Sequence, residues 1–443
     1  MIYSLAKQYI DESIKEDKVR QSKERRSQIY KMLDYYNGDN FEKHIASRFK
    51  ASAFQEIPMM GMNITKRFID RMSRIYTLGA SRTVSNNQDL YDHLTSRKSY
   101  RMKHAEKMTN LLGTTALQVV WNDNNNNPRF DYIPRYAFDV ILDEFDPFKP
   151  VAIKYPVLLN TDDASSENNV LQYVYWDDSG FIIYDENGKE LRAETHDYGV
   201  LPFVFLHRDH QQLGFYVPGA SDIVVANEML NILYTEMNLG MRFQMFGQYV
   251  ASGMFNDEII QRAGSDEILI VPEGVDVSIL SPNVKVDQAI NLAKSILEIT
   301  ASNNHLAISF IDPQRDRPQS GEALKIRDLE RKDKYIDNKD VWEFYEQEIY
   351  NLEKIIASNN NKSLPDTMGI DFNEPDNIMS ISDQIQWNNY LLETNQSTNA
   401  KLLQSINKDL SIEQAQSVID ENKGINGTKE QTGSIFTRLR TES

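Results

Sequence analysis

The chain has 443 residues, of which 40 % are hydrophobic and 26 % charged, and it contains no cysteine. This composition indicates a folded protein of about two to four domains, or one elongated protomer, and excludes disulfides and thiolate metal sites. The net charge of −17 argues against an ordinary DNA-binding module, which carries a basic footprint, but not against a protein through which DNA moves, because an acidic wall repels phosphates.

The first half of the chain predicts helices followed by an antiparallel sheet. The charged residues Asp11 and Glu12 are not typical of a signal peptide, and no run of about 18 uncharged apolar residues predicts a transmembrane helix. Helical periodicity marks residues 1–37, 63–78, 89–94 and 101–112, with a loop or short helix over 39–61. Strand patterns cover residues 116–121, 129–133, 140–143, 151–159, 170–176, 181–184, 190–195 and 201–207.

Two local features of this half carry further predictions. Asn187-Gly188 predicts a tight hairpin between the strands at 181–184 and 190–195. The helix over 63–78 has a basic face, which is either a solvated surface or a nucleic-acid contact; its members are Lys66, Arg67, Arg71 and Arg74.

The second half predicts a helix, a small excursion and a returning helix. Helices are expected over 223–247 and 286–303, and they are expected to pack antiparallel with the excursion at one end. Within the excursion, the sequence predicts a short helix and two strands joined by Pro272-Glu273-Gly274; their bounds are 254–263, 268–271 and 275–280.

A very long helix over 319–358 follows an irregular, charged segment with two prolines. Five apolar residues at alternating spacings of three and four form one stripe on its second half, namely Trp342, Tyr345, Ile349, Leu352 and Ile356. After it the sequence predicts a short extended piece at 372–375, three helices over 382–395, 399–406 and 411–422, and a flexible tail over 424–443. Ser411 and Gln414 have the spacing of a capping box before the last helix.

Catalytic chemistry has little support in the sequence. His207-Arg208-Asp209-His210 is the dense histidine cluster, but a metal site needs three or four converging ligands, and the arginine disfavours a dication. Neither a Walker-type phosphate loop nor a Gly-x-Ser-x-Gly elbow occurs. We therefore predict no enzyme, no catalytic residue, no metal and no cofactor.

Four stretches carry a resemblance to a known family. Ser320-Gly321-Glu322-Ala323-Leu324-Lys325 is similar to the Ser-Gly-x-Ala-Leu-Lys signature of the portal proteins of tailed bacteriophages, in the branch of long-tailed phages, where it opens a long helix after the tunnel loop. Gly219-Ala220-Ser221-Asp222-Ile223 resembles the start of that family's first stem helix. Tyr36-Asn37-Gly38 and Gly113-Thr114-Thr115-Ala116 resemble it more weakly. The order of elements from 219 to 356 matches as well.

The resemblance implies an α+β, mainly helical fold with the portal architecture of wing, stem, clip and short crown, assembling into a ring. By position, the wing would cover 1–219 and the long helix 319–358. The stem helices would be 220–248 and 284–303, around a clip at 249–283. The tunnel loop would be 304–318, the crown 359–423 and the flexible tail 424–443.

The resemblance also implies a function and partners. Portal proteins form a ring, usually of twelve subunits, at one capsid vertex, where double-stranded DNA is packaged and ejected without sequence preference. The implied partners are the terminase large subunit, head-completion adaptor proteins, and the major capsid and scaffolding proteins, without a membrane. The implied location is the virion, with assembly in the host cytoplasm.

The resemblance also implies roles for individual residues, and some of these roles have alternatives. Channel residues would be His305, Phe310, Asp312, Arg315, Asp316 and Arg317. The two arginines would touch phosphates transiently or pair with Asp312 or Asp316 across subunits. The clip residues Phe255, Ile259 and Ile260 would dock a partner or pack locally. The stem residues Ile223, Met229 and Leu233 would face neighbouring subunits. The long-helix motif residues would be Ser320, Gly321, Ala323, Leu324 and Lys325.

Two other functions stay open at the level of the sequence. One is a phage structural adaptor or baseplate protein without a DNA channel. The other is a metal-dependent hydrolase that uses His207, Asp209 and His210.

Overall fold

The computed structural model describes residues 20–49, 61–123, 127–159, 170–211, 214–246, 248–252, 276–280, 285–306, 321–373, 381–407 and 410–423. It divides into two compact units. The first contains Met1–Pro318 and Ile326–Pro375, and the second contains Gln319–Lys325 and Asp376–Ser443. Both helix and sheet are present, as predicted. Among the described helices, none is long and apolar enough to cross a membrane.

The first unit opens with helices that contribute to two core clusters. They are α1 (Arg20–Asn37), α2 (Phe41–Ile45), α3 (Ile64–Met72), α4 (Ile75–Leu78), α5 (Gln88–Leu94) and α6 (Lys98–Leu112). Helix α6 joins the two clusters, because it has residues in both. The single helix predicted over 63–78 is wrong, because it breaks at Ser73 and Arg74 into α3 and α4. Its apolar face is nevertheless buried: Phe68, Ile69 and Ile75 are at most 1 % exposed.

Two antiparallel sheets follow α6. The first has three strands in the order β3-β2-β9, and the second is a meander of five strands in the order β4-β5-β6-β7-β8. The strands are β2 (Thr114–Asn122), β3 (Arg129–Arg135), β4 (Asp139–Leu142), β5 (Pro150–Leu159), β6 (Val170–Trp176), β7 (Gly180–Asp185), β8 (Glu190–Thr195) and β9 (Phe203–His207). The predicted hairpin between β7 and β8 is confirmed, but the predicted two-residue turn is wrong. The loop covers 186–188, because the Asp185 amide donates to the Lys189 carbonyl at 3.0 Å, and Gly188 alone takes the left-handed conformation, at φ +83°.

The helix pair of the second half is α7 (Ser221–Phe246) and α8 (Val286–Asn303). Between them lie β10 (Gln248–Ser252) and β11 (Asp276–Leu280), which pair antiparallel. The strand predicted over 275–280 is therefore present as β11. Its partner is β10, a strand that the sequence did not predict, while the partner predicted at 268–271 lies outside the described residues.

The long helix α9 (Gly321–Asn359) is continuous over 39 residues. Its predicted apolar stripe is confirmed, because all five of its members are at most 7 % exposed. The stripe packs in the largest core cluster, against residues of α4, α5, α6, β2 and β3. After α9, β12 (Met368–Phe372) pairs antiparallel with β1 (Ala80–Val84).

The second unit contains three helices after residue 380. They are α10 (Ile381–Glu393), α11 (Asn399–Ile406) and α12 over residues 412–423. The capping box predicted before α12 is confirmed. The Gln414 amide N–H donates to Ser411 Oγ at 3.2 Å, and the Ser411 amide N–H donates to Gln414 Oε1 at 2.9 Å.

Candidate functional site

The helices α7 and α8 run antiparallel, as the sequence predicted, because they meet at both ends. Near one end, Asn304 Nδ2 donates to Asp222 Oδ2 at 2.7 Å, which joins the end of α8 to the start of α7. At the other end, Gln248 in β10 lies opposite Leu280 in β11. The ribbon β10–β11 and the C-terminal end of α8 therefore lie at opposite ends of this helix pair.

Asn304 is a buried hub at the first of these ends. Its Oδ1 accepts a hydrogen bond from Arg208 Nη2 at 2.8 Å, and its Nδ2 also donates to the Thr300 carbonyl at 2.9 Å. One amide side chain thus ties β9, α7 and α8 together. Burial lowers the pKa of Arg208, whereas Asp222 and Asp209 oppose that change.

The turn that ends α8 fixes the start of the predicted channel loop. The Leu306 amide donates to the Ala301 carbonyl at 2.9 Å, and the His305 amide donates to the Ser302 carbonyl at 3.1 Å. His305 adopts a left-handed conformation with φ +53°, and its side chain is exposed. Of the predicted channel residues, His305 is described, while Phe310, Asp312, Arg315, Asp316 and Arg317 lie outside the described residues.

Two sequence motifs noted separately pack directly against each other. The Ala220 amide donates to the Leu111 carbonyl at 2.8 Å. A Cβ on Gly113 would lie 2.0 Å from the Val217 carbonyl oxygen, and a Cβ on Gly219 would lie 2.4 Å from the Leu111 carbonyl oxygen. Because real Cβ atoms do not approach backbone this closely, both positions need glycine. The crossing fixes the start of α7 against the end of α6.

A second contact holds α7 against the N-terminal helices. Asn227 Oδ1 accepts from the amides of Ile64 and Thr65 at 2.9 and 3.0 Å, and its Nδ2 donates to the Met62 carbonyl at 2.7 Å. These amides belong to the first turn of α3, where backbone donors lack helical partners. Asn227 therefore caps one helix from the flank of another.

The helix pair exposes several large hydrophobic side chains. Large hydrophobic side chains of α7 and α8 between 37 % and 77 % exposed are Val225, Met229, Met241, Met245, Ile290, Leu292 and Ile299. The role predicted for Ile223, which was to face a neighbouring subunit, is wrong, because Ile223 is fully buried in the core of its own chain. Met229, at 50 % exposed, remains available for that role, while Leu233 is partly buried against the same core.

Beneath α9 lies a buried network of charges. Lys98 Nζ donates to Glu346 at 3.1 Å and to Glu353 at 2.9 Å, and all three side chains are fully buried. Arg82 Nε also donates to Glu346 at 2.9 Å. Tyrosine hydroxyls satisfy further carboxylate oxygens: Tyr76 donates to Glu346, and Tyr91 and Tyr132 donate to Glu353. The two cations balance the two carboxylates.

The network sets the protonation states of Glu346, Tyr76 and Tyr132. Burial raises the pKa of Glu346, but Lys98 and Arg82 outweigh it and bring the pKa down to about 2. Burial raises the pKa values of Tyr76 and Tyr132 well above their usual range, and the neighbouring glutamates raise them further. The glutamate is therefore a permanent anion at neutral pH. No functional or structural role was predicted for these charged residues from the sequence. Glu346 and Glu353 nevertheless follow the spacing of the stripe that contains Trp342, Ile349 and Ile356.

Glu106 explains why the predicted helix over 63–78 breaks. Its Oε1 accepts from the Ile75 amide at 2.9 Å, and its Oε2 accepts from the Tyr76 amide at 3.1 Å. The carboxyl group thereby satisfies amides that start α4, in place of a continuous helix. Burial raises its pKa to about 7, although the two amides pull it down.

The histidine cluster does not form a metal site. His207 is buried, with Nδ1 at 3.1 Å from Thr114 Oγ1, and burial lowers its pKa to about 4. Arg208 contacts Asn304, and His210 lies on the surface. Among the described residues, no group of three or more His, Asp or Glu side chains could hold a metal ion.

The basic face of α3 is interrupted by an acid. Asp70 lies among Lys66, Arg67 and Arg71 at a surface depression. It accepts from Lys107 Nζ at 2.6 Å and from the Tyr36 hydroxyl at 3.1 Å. Asp70 thus compensates Lys107, and the surface keeps a basic character, so both interpretations of this face stay open.

The remaining predicted site residues belong to the predicted clip and to the start of α9. The clip residues Phe255, Ile259 and Ile260 lie outside the described residues, as does Ser320. Gly321, Ala323, Leu324 and Lys325 occupy the first two turns of α9, as the motif predicts, while their side-chain contacts lie outside the description.

Comparisons with known proteins give distant structural likenesses only. No family model and no curated protein matches the sequence. Among solved structures, the chain is similar to one described as the neck of an empty GTA particle computed with C6 symmetry. The identity is 10 %, the TM-score is 0.39, and the match covers 79 % of this chain and 91 % of that one.

Proposed function

We propose that the chain is a portal protein of a tailed bacteriophage. In its coarser form the proposal is a structural role in the head–tail connector of a phage-like particle. In its specific form, about twelve copies make a ring at one capsid vertex, and double-stranded DNA is packaged and ejected through the central channel. The ring also docks the terminase large subunit and head-completion adaptor proteins, and it contacts the major capsid and scaffolding proteins. It needs no cofactor and carries no catalytic centre.

The order of elements between residues 219 and 359 carries this proposal. An antiparallel helix pair has a two-stranded ribbon at one end. From the other end, the chain continues into a helix of 39 residues. The Ser-Gly-x-Ala-Leu-Lys motif lies at the start of that helix. In the proposed ring, α7 and α8 are the stem, residues 249–283 are the clip and residues 304–318 are the tunnel loop.

Surface chemistry supports the same assignment. Large hydrophobic side chains of α7 and α8 are exposed, and neighbouring stems would cover them in the proposed ring. The charge of −17 gives a channel that repels phosphates, so that DNA slides without sequence-specific grip.

Contacts with moving DNA are assigned to the loop that follows Asn304. Arg315 and Arg317 would touch phosphates transiently, while Asp312 and Asp316 keep the contacts weak. The Asn304 hub and the turn at His305 give this loop a fixed point of departure from α8. The competing role for the same side chains is ion pairing between subunits.

Deletion of residues 312–317 tests this assignment. Rings should still form, because the described stem contacts lie outside the loop, but DNA packaging or retention should fall. Sedimentation measures ring formation, and DNA protected from nuclease in assembled particles measures packaging. Replacement of the six residues by a Gly-Ser segment of equal length is the control for loop length. If the deletion abolishes ring formation, the loop is an interface rather than a conduit element.

A further inference from the structure

A basic surface extends from α3 onto α6. On α3, Lys66, Arg67 and Arg71 are exposed around a surface depression. The contact between Asp70 and Lys107 Nζ at 2.6 Å joins this surface to the outer side of α6. We call the exposed sides of these two helices the α3–α6 face. It belongs to a chain with a net charge of −17, so its charge is opposite to that of the chain as a whole.

Helix α6 adds a row of polar side chains to this face. Tyr100, Lys103, His104 and Lys107 are spaced three and four residues apart, which places them on one side of the helix. Tyr100 is 75 % exposed, and Lys103 and His104 are exposed as well. Partial burial lowers the pKa of His104, and Arg101 and Lys107 lower it further. The imidazole therefore lies in a positive field.

Ion pairs do not cancel the charge of the α3–α6 face. The acids of α3 and α6 are Asp70, which is paired with a lysine of α6, and Glu106, which is buried. Lys66, Arg71 and Lys103 form no ion pair with another residue that the structure describes. These three cations are therefore available to an anionic partner.

The α3–α6 face is held rigidly on the rest of its unit. Asn110 Nδ2 of α6 donates to Ser73 Oγ at the end of α3, at 2.9 Å. Asn227 of α7 accepts hydrogen bonds from two amides in the first turn of α3. The Ala220 amide donates to the Leu111 carbonyl at the end of α6. Because the backbone that carries the cations is already ordered, binding a partner does not incur the entropic cost of ordering it.

The spacing of the cations fits a polyphosphate. Lys66 and Arg71 are five residues apart on α3, and Lys103 and Lys107 are four apart on α6. These separations correspond to about 7.5 and 6 Å along the helix axes, and each DNA strand carries one phosphate per about 3.4 Å. Each helix can therefore contact phosphates of one strand, and lysine, arginine and tyrosine side chains do so without reading bases.

An acidic surface of another protein is the competing partner. Protein interfaces are centred on buried apolar or aromatic anchors. The described lining of the depression on α3 is instead polar and charged, and consists of Asn63, Lys66, Arg67, Asp70 and Arg71. A phosphate backbone needs no apolar anchor, so the lining favours nucleic acid over protein.

We propose that the α3–α6 face binds the sugar–phosphate backbone of double-stranded DNA without sequence preference. Lys66, Arg71 and Lys103 contact phosphates, and the Tyr100 hydroxyl donates to the same backbone. The face is a second DNA contact, apart from the predicted tunnel loop at 304–318. The inference rests on the proposed function for the source of the DNA, because a portal meets the genome during packaging.

Fluorescence anisotropy of a labelled DNA duplex with the full-length protein tests the contact. We expect a Kd of about 10⁻⁴ to 10⁻⁶ M at physiological salt, as for other binding without sequence preference. Two duplexes of unrelated sequence should bind equally well. The logarithm of the affinity should fall linearly with the logarithm of the salt concentration.

A double substitution measures the share of the face in this binding. Lys66→Gln with Arg71→Gln should lower the salt slope by about 2 and the affinity at low salt at least about tenfold. Lys149→Gln with Lys189→Gln is the matched control, because it removes the same charge from exposed lysines on two hairpins of the five-stranded sheet. The control should keep the wild-type slope.

Two further variants separate the face from the tunnel loop and from any effect on folding. The double substitution in the chain whose residues 312–317 are replaced by a Gly-Ser segment should lower the slope by the same amount, because independent contacts add. Lys103→Gln alone should lower the slope by about 1. Thermal unfolding shows whether each variant is folded.

The outcomes separate this contact from the ring itself. If wild type does not bind the duplex, or if both the double substitution and Lys103→Gln keep the wild-type slope, the DNA contact is wrong, while rings with a channel would still support the proposed function. If binding depends on the face but wild type makes no ring, the contact stands and the ring proposal fails. If the double substitution leaves DNA binding unchanged and abolishes ring formation, the face is an interface between copies, which also overturns the contact.

Discussion

Glu346 and Glu353 occupy positions of the long helix where helical spacing places apolar side chains. Both are fully buried, and both are held by Lys98. Replacing a whole buried ion network by apolar groups can be neutral, but removing one partner leaves a charge without compensation. The network therefore makes the register of α9 on its core specific, because sliding the helix would separate every charge from its partner.

Glu346→Gln tests that account at a single residue. The substitution keeps the shape and removes the charge, so Lys98 and Arg82 lose a shared anion. We expect the free energy of unfolding to fall by about 3 kcal/mol, measured by urea denaturation at pH 7. Glu348→Gln on the exposed face of the same helix is the control, with an expected change within about 0.5 kcal/mol. Equal effects of the two substitutions would contradict the network's role.

Glu106 gives a prediction about pH. Its pKa is about 7 in the folded chain, above the ordinary value, so the unfolded chain loses this proton at a lower pH than the folded chain does. The contribution of Glu106 to stability is therefore present at pH 4 and is lost as the pH rises towards 7.

The Glu106→Gln variant has no carboxyl group at this position, so it does not lose this stability as the pH rises. Between pH 4.5 and 8 the unfolding free energy of the variant should therefore rise relative to wild type by up to about 3 kcal/mol. Urea denaturation at both pH values measures the difference. The protonation of His207 contributes equally to both proteins and cancels. A pH-independent difference between the variant and wild type would show that the carboxyl group is ionised throughout.

At the scale of elements, the sequence predicts the bounds of those helices that depend on residues close together in the chain. The helix over 286–303 and the helix over 399–406 have the predicted bounds, because their periodicity and flanking residues are local. The break at Ser73 was not predictable in this way, because its cause, Glu106, lies about thirty residues further along the chain. The pair β1–β12 was missed for the same reason, since Val84 pairs with Met368.

The candidate site shows the same division. The motifs at 113–116 and 219–223 were visible in the sequence, but their mutual contact was not. A glycine in a sequence does not show which backbone segment packs against it. Asn227 and Asn304 carried no signal either, since a buried asparagine in a helix resembles an exposed one until its partners are known. Glu346 and Glu353 did carry a signal, in their spacing.

Gly219→Ala tests the crossing of backbones at the start of α7. The new Cβ would lie 2.4 Å from the Leu111 carbonyl oxygen, so one backbone must move. We expect a loss of about 3 kcal/mol in the free energy of unfolding. Gly214→Ala, where nothing lies within 4 Å of the new Cβ, should change stability little. Thermal unfolding of both variants distinguishes them, and a tolerated Gly219→Ala would mean that the close approach is not needed.

At the scale of the whole molecule, the antiparallel helix pair exposes several large hydrophobic side chains. In the proposed ring, neighbouring copies around a central axis would cover them. The same arrangement would bring the segments that begin at Asn304 together from all copies at one level of the ring. In the proposed ring, the acidic balance of the chain would be repeated around one axis and would act on DNA in the channel.

Electron microscopy of the purified full-length protein tests this central claim most directly. The account predicts rings of about twelve copies with one continuous axial channel wide enough for double-stranded DNA. Rings with six-fold symmetry and no continuous bore would favour a phage adaptor or baseplate role instead. Monomers or two-fold dimers without a channel would contradict the account.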